Sequence, residues 1–253
     1  MSELTGKVAL VTGASGGIGS ATARLLHQRG ARLVLSDLQD EGPAELMREL
    51  GDDARWCRCD VAQEADNAAM VQCALDSFGR IDIAVLNAGI EGRAGLIGET
   101  SLENFDRVMA VNVRGVFAGL SKVMPAMRQS GGGSIVILSS TAGRKGTPTF
   151  APYVTSKHAV MGMMKCAALE GAAQNIRVNT VNPGPIDTRM MAAIEGDFSP
   201  DDPHAAHEAF VQSIPMRRYG TADEVARMIA FLASDEASYC TGNYYGVDGG
   251  QTS

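Results

Sequence analysis

Tyr153 and Lys157 stand four residues apart, and Ser140 precedes Tyr153 by thirteen. Four residues is close to one helical turn, so the phenol and the ammonium share a helix face. A free tyrosine titrates at about 10, and a cation beside it favours the phenolate. That tuning brings a phenol toward the pH at which a general acid/base works. The hydroxyl of Ser140 can hold a carbonyl or hydroxyl oxygen next to it. A Tyr-x-x-x-Lys pair alone is common on exposed helices, and the serine thirteen residues earlier makes the pattern specific. Ser139 adjoins Ser140, but the spacing selects Ser140 and leaves Ser139 as a strand residue.

A second constellation opens the chain: Thr12-Gly13-Ala14-Ser15-Gly16-Gly17-Ile18-Gly19. It follows an apolar run and begins a helical pattern, the context in which a glycine-rich turn binds phosphate. Backbone N–H groups at a helix start point outward, and the helix dipole favours an anion there. The Gly-x-x-x-Gly-x-Gly spacing differs from the GxGxxG dinucleotide fingerprint, so it needs support. Asp37, with its neighbour Leu38, ends the next strand 18 residues after Gly19. A carboxylate there can accept both hydroxyls of an adenosine ribose and would repel a 2′-phosphate. No Arg or Lys stands in the glycine turn or beside Asp37 in sequence, so the pattern predicts NAD in preference to NADP. Asp60-Val61 is placed to meet an adenine, and Asn87-Ala88-Gly89 brings small residues to the sheet edge. All four features fall at the carboxyl ends of predicted strands, where open α/β sheets bind ligands. Bound beside Tyr153, a nicotinamide carries the redox chemistry itself and leaves orientation and proton transfer to the protein.

The elements that must position these groups alternate. Strands are predicted at Lys7–Thr12, Ala31–Ser36, Ala54–Asp60, Ile81–Leu86, Ser134–Ser139, Ile176–Asn182 and Asn243–Val247. Helices are predicted at Ile18–Arg29, Pro43–Leu50, Gln63–Phe78, Leu102–Met127 (interrupted at Gly115 and Gly119), Tyr153–Gln174 and Ala222–Ala233. Alternation of this kind implies right-handed crossovers and a parallel sheet covered on both faces. The expected architecture is one doubly wound Rossmann-type α/β domain over residues 1–253. The stretch 186–215, rich in Met, Asp and Pro, is expected to be an irregular lid.

At 253 residues, with 45% hydrophobic and 20% charged residues, the chain suits one globular unit. A net charge of −7 argues against a nucleic-acid partner. The start Met1-Ser2-Glu3-Leu4-Thr5-Gly6-Lys7 has no apolar signal core and no stretch is long enough to span a bilayer, so no membrane partner and a cytoplasmic location are expected. Five cysteines without a CxxC pair read as reduced core thiols, with Cys57 and Cys59 able to face one side of a sheet. His204 and His207 lack further ligands at sensible spacing, so no metal centre is expected. Arg93, Arg144 and Lys145 are candidates to flank the site's mouth.

These motifs resemble those of the short-chain dehydrogenase/reductase family, NAD-preferring type, across essentially the whole chain. The likeness rests on the glycine turn, Asn87-Ala88-Gly89, Val111-Asn112-Val113, Ser140, Tyr153-Val154-Thr155-Ser156-Lys157, Asn182-Pro183-Gly184-Pro185-Ile186-Asp187-Thr188 and Val247-Asp248-Gly249-Gly250. The resemblance implies a seven-stranded sheet, a homotetramer and a catalytic tetrad of Asn112, Ser140, Tyr153 and Lys157. It implies that Tyr153 is the acid/base. It also implies that Lys157 binds the nicotinamide ribose and lowers the tyrosine pKa, and that Asn112 holds a relay water. Pro183, Gly184, Ile186 and Thr188 would line the nicotinamide.

The expected activity is that of an NAD-dependent short-chain alcohol dehydrogenase or ketone reductase. The substrate is expected to be a secondary alcohol or ketone, cyclic or aryl-substituted, facing the lid residues Met190, Met191, Ile194, Phe198 and Phe210. Two alternatives remain: an NADPH-dependent 3-oxoacyl-carrier reductase, against which Asp37 argues, and a silent dinucleotide sensor, against which the tetrad argues. The helices predicted around Gly115, Val116, Phe117, Met161, Met163 and Met164 carry more apolar and small residues than one core stripe needs, which suits assembly.

Overall fold

The computed structural model describes residues 3–199 and 201–253. Met1 and Ser2 of the N-terminal segment, and Pro200 of the expected lid, lie outside the described residues. Among the described residues, seven strands form one sheet, parallel throughout, in the order β3-β2-β1-β4-β5-β6-β7. They are β1 (Val8–Thr12), β2 (Arg32–Asp37), β3 (Ala54–Arg58), β4 (Ile83–Leu86), β5 (Gly133–Leu138), β6 (Ile176–Pro183) and β7 (Tyr244–Val247). The chain winds outward from β1 to β3, then restarts on the other side of β1 with β4. The switch point therefore lies between β1 and β4, where doubly wound sheets open a crevice.

Strands buried on both faces need apolar residues at every position, which is why β1 reads VALVT and β4 IAVL. Successive residues serve opposite layers. Ala9 and Val11 pack with α1 (Gly17–Gln28), α2 (Ala44–Leu50) and α9 (Ala222–Ala233). Leu10 faces α3 (Glu64–Phe78), α5 (Gly115–Gln129) and α6 (Ala151–Ala172). Cys57, Cys59 and Cys73 belong to this second layer, so Cys57 and Cys59 do share a sheet side.

Two elements differ from expectation. The long helix predicted from Leu102 is α4 (Leu102–Met109) running into α5 through a π-helical turn at Ala110–Arg114. Its glycines do not break it. Gly115 and Gly119 sit where the helix presses on Val61 and on Leu86. The stretch 186–215 is not irregular: it holds α7 (Arg189–Phe198) and α8 (Pro203–Ser213). Both starts are capped, by the Thr188 hydroxyl for Met191 N–H and by the Asp202 carboxylate for Ala205 N–H. Asp202 and Pro203, which suggested loop, thus start α8. Among the described residues, no helix is long and apolar enough to cross a membrane.

Candidate active site

The turn after β1 requires glycine at Gly13 and Gly19. Gly13 has φ +66°, and a Cβ on it would lie 2.8 Å from Asn87 Nδ2 and 2.9 Å from Ala88 Cα. A Cβ on Gly19 would run into the Gly13 carbonyl, and one on Gly17 would stand 3.0 Å from the Thr188 methyl. Above Gly16 the space is open, with Gly13 O the nearest atom at 3.4 Å. No side chain caps α1 at Gly16, so its first N–H groups remain available to an anion. Asn87 closes the other side of the crevice: Nδ2 donates to Thr12 O (2.9 Å) and Gly13 O (3.0 Å), and Ala88 N–H donates to Thr12 Oγ1 (3.1 Å).

At the end of β2, the Asp37 carboxylate accepts from the backbone N–H of Ser15 (3.1 Å), from the Ser15 hydroxyl and from Leu38 N–H (2.8 Å). Leu38 itself is exposed. Asp60 follows β3 and accepts from Ala62 N–H at 3.0 Å, while Val61 packs under Gly115. One neighbour is invisible in the linear sequence: Arg58 pairs in register with Asp37 across β2 and β3. Its guanidinium faces Asp40 (3.5 Å) and Asp66 (3.7 Å). These features fit a dinucleotide: an uncapped helix start for the phosphates and a fixed carboxylate for a ribose.

Beyond the switch point lie the proton-transfer candidates. Ser140 follows β5, and Tyr153 and Lys157 come from the first turns of α6. Lys157 is buried, donates to Leu138 O at 2.9 Å, and lies 5.5 Å from the Tyr153 ring centre. Asn112, buried in the π-helical turn, exchanges two hydrogen bonds with the Ile90 backbone, each 2.8 Å. A π-helical turn places one extra residue in the helix and is frequent at functional sites. A Cβ built on Gly89 would be 3.3 Å from Asn112 Oδ1 and 3.4 Å from Lys157 Nζ, so these groups converge beside Gly89. Ser140, Tyr153, Lys157, Asn87, Gly89, Ile18, Pro183, Gly184, Ile186 and Thr188 line one cavity of about 990 Å³.

A family model described as enoyl-(acyl carrier protein) reductase matches residues 13–252. Levodione reductase of Leifsonia aquatica is 38% identical over 99% of this chain and 96% of its own length. The crystal structure of a levodione reductase, 38% identical, superimposes with a TM-score of 0.95 over 98% of both chains. The chain belongs to the short-chain dehydrogenase/reductase family. Cyclohexanol dehydrogenase of Acinetobacter sp. (strain SE19) is 40% identical over 99% of this chain and 97% of that protein. The crystal structure of NAD+-bound xylitol dehydrogenase has a TM-score of 0.94 at 35% identity, covering 98% of this chain and all of that one. The protein is an oxidoreductase of this family.

Within this short-chain dehydrogenase/reductase, the far side of the cavity is apolar. Met190, Met191 and Ile194 come from α7. Phe150 stacks on Phe198 at 5.2 Å, and Phe198 meets Phe210 edge-on at 5.0 Å. Phe150, just before α6, gave no signal in sequence because its ring partner, Phe198, is 48 residues away. Three hydrogen bonds hold the α7–α8 pair in place. Asp197 accepts from Ala94 N–H at 3.1 Å, and Glu195 accepts from Tyr219 Oη (2.7 Å) and His207 Nδ1 (2.9 Å). His207 thus bonds to Glu195, and among the described residues no group of three His, Cys, Asp or Glu is placed to hold a metal. Lys145 reaches the cavity wall. Arg144 instead stacks over Tyr244 at 4.2 Å, and Arg93 lies on the exposed surface.

The electrostatics depart from one expectation. Burial pushes the Tyr153 phenol up to about 12. The Ser140 hydroxyl opposes that rise through a hydrogen bond, and the Glu91 charge adds to it. Burial also pushes the Lys157 ammonium down to about 8. In the chain by itself Lys157 therefore does not lower the phenol. Its Nζ is turned to Leu138 O rather than to the phenol oxygen, and desolvation dominates.

Proposed function

We propose that this enzyme transfers hydride between NAD(H) and a neutral secondary alcohol or ketone, with a ring in the part of the substrate that faces α7 and α8. The observation that carries the proposal is the cavity's two-sidedness. Ser140 and Tyr153 stand on one wall and Phe150, Phe198, Phe210 and three lid side chains on the other. One substrate oxygen satisfies the polar wall. An aromatic and thioether wall takes apolar bulk, methionine adapting its shape to it.

The bound dinucleotide supplies the two-electron acceptor or donor. In oxidation, Ser140 holds the substrate hydroxyl and Tyr153 takes its proton; in reduction, Tyr153 returns a proton to the carbonyl oxygen. Lys157 has ammonium hydrogens left for ribose hydroxyls after its bond to Leu138 O. Asn112 fixes the Ile90 backbone beside this group. The α7–α8 lid excludes water from the hydride path. Asp37, held by Ser15 and Leu38, supports a preference for NAD.

Cyclohexanol, named in one relative, is a neutral cyclic secondary alcohol and favours the ring reading. Xylitol, named in a structural neighbour, is an open-chain polyol and favours the other. The aromatic wall favours the ring. Steady-state kinetics over cyclohexanol-type, aryl, short linear and polyol substrates tests it, and a best kcat/KM with ethanol or a sugar alcohol would overturn it. The carrier-bound 3-oxoacyl alternative is tested by following oxidation of NADPH with a 3-oxoacyl thioester as acceptor, where little turnover is expected. Assembly into a homotetramer is also proposed. Phe117 on α5 and Leu169 on α6 remain 63% and 82% exposed, whereas Gly115, Val116 and Met164 are buried in the chain's own core. A stable monomer by light scattering would contradict it.

A further inference from the structure

Ser156 is completely buried between Tyr153 and Lys157, and its hydrogen bonds lead to the π-helical turn. Its Oγ donates to the Tyr153 carbonyl at 2.7 Å and accepts from Asn112 Nδ2 at 3.0 Å. The other Nδ2 hydrogen of Asn112 goes to Ile90 O, and Asn112 Oδ1 accepts from Ile90 N–H. A serine hydroxyl has one hydrogen and an amide nitrogen two. All three are therefore committed, in one direction only: Asn112 to Ser156, Ser156 to the first turn of α6.

We propose that Ser156 is a positioning residue for the proton-transfer site, acting through Asn112. With both amide hydrogens occupied, the side of Asn112 that converges with Lys157 Nζ beside Gly89 offers only a carbonyl oxygen. Any group held there must donate a hydrogen bond to Asn112. Loss of the Ser156 hydroxyl leaves a buried N–H unpaired and removes one of the three bonds that hold the amide, which is then tethered to the Ile90 backbone alone and can shift its carbonyl oxygen relative to Lys157. The shift would be felt at the proton-transfer groups and not at the distant adenosine end. The proposal rests on Asn112, Tyr153 and Lys157 being the proton-transfer residues.

The test is a double-mutant cycle with Ser156→Ala and Asn112→Ala. Kinetics on an accepted alcohol are combined with thermal melting and dinucleotide binding by fluorescence. Ser156→Ala should lower kcat about tenfold, the scale of one misplaced buried hydrogen bond, with the dinucleotide Kd changed by less than about twofold. In the Asn112→Ala background the same change should have no further effect on kcat. An equal loss in both backgrounds, or an unchanged kcat in folded Ser156→Ala, overturns the proposal. If Ser156→Ala does not fold, Ser156→Cys, which keeps the volume and weakens the hydrogen bond, carries the same comparison. Failure of the underlying assignment is seen separately, as full activity in Tyr153→Phe.

Discussion

Replacing Asp37 with alanine should change the enzyme's cofactor preference by a large and calculable factor. A carboxylate has about four acceptor positions. Three are taken, by Ser15 N–H, the Ser15 hydroxyl and Leu38 N–H, so one is open to a ribose hydroxyl and a second opens if the Ser15 hydroxyl turns away. A hydrogen bond to a charged group is worth about 1.5–3 kcal/mol, so Asp37→Ala should weaken NAD by about 2 kcal/mol. The same change removes a negative charge from the position of a 2′-phosphate, where like charges about 5 Å apart repel by on the order of 1–3 kcal/mol. Together the ratio of kcat/KM for NAD over NADP should fall by about 4 kcal/mol, roughly a thousandfold.

Arg58 makes the experiment sharper. It stands opposite Asp37 in register and faces Asp40 and Asp66 at 3.5 and 3.7 Å. In the Asp37→Ala enzyme it offers a 2′-phosphate a cation on the adjacent strand, so adding Arg58→Gln should take back part of the gain with NADP. Initial rates with both cofactors at saturating alcohol give the ratios directly. A ratio within about threefold of wild type after Asp37→Ala, far below the thousandfold shift, would refute the ribose role of Asp37.

Tyr153→Phe keeps the ring and removes the transferable proton. Turnover should fall on the order of a hundredfold or more while fluorescence titration still detects dinucleotide binding, and near-normal turnover would remove Tyr153 from the mechanism. Lys157 titrates at about 8 in the folded chain against its ordinary 10.5, so between those values the unfolded chain holds the extra proton. The fold is therefore penalised fully below about pH 8 and not at all above pH 10.5. Wild-type stability relative to Lys157→Met should rise by about 3 kcal/mol over that window, measured from urea midpoints, and a pH-independent difference would contradict it. Gly19→Ala drives a Cβ into the Gly13 carbonyl; binding of NAD by calorimetry should weaken at least about tenfold, in line with the cost of overpacking, and unchanged binding would show that the turn can yield.

Local signals sufficed where the chain itself makes the constraint. A strand buried on both faces has to be apolar throughout, and a turn pressed against Asn87 and Ala88 has to be glycine. Both are visible residue by residue, and the strands and glycine turn are found where they were expected. Pairings across elements left no such trace. Arg58 meets Asp37 only through the register of β2 and β3. Phe150, Phe198 and Phe210 meet only once α7 and α8 fold back over α6. The π-helical turn that carries Asn112 has no propensity signature, since it is an accommodation between α4 and α5. The two lid helices were hidden because Thr188 and Asp202, which cap them, are also loop residues by composition.

The sign of the tyrosine shift has a mechanistic consequence. Charge proximity read from a four-residue spacing predicts a lowered phenol, whereas burial, which the spacing does not contain, raises it to about 12. The same burial lowers Lys157 to about 8. Both groups are thus held toward their neutral forms, but at pH 7 only the lysine is charged. In the reducing direction Tyr153 is already the acid the reaction needs, and no prior ionisation is required. In the oxidising direction a phenolate must form first, so the rate in that direction should climb with pH over the whole accessible range. Oxidation also releases one proton, so each pH unit shifts the apparent equilibrium about tenfold toward the ketone. Parallel measurement of both directions from neutral to alkaline pH separates these effects. A reduction rate that rose with pH as steeply as the oxidation rate would mean that the phenol is not the proton donor.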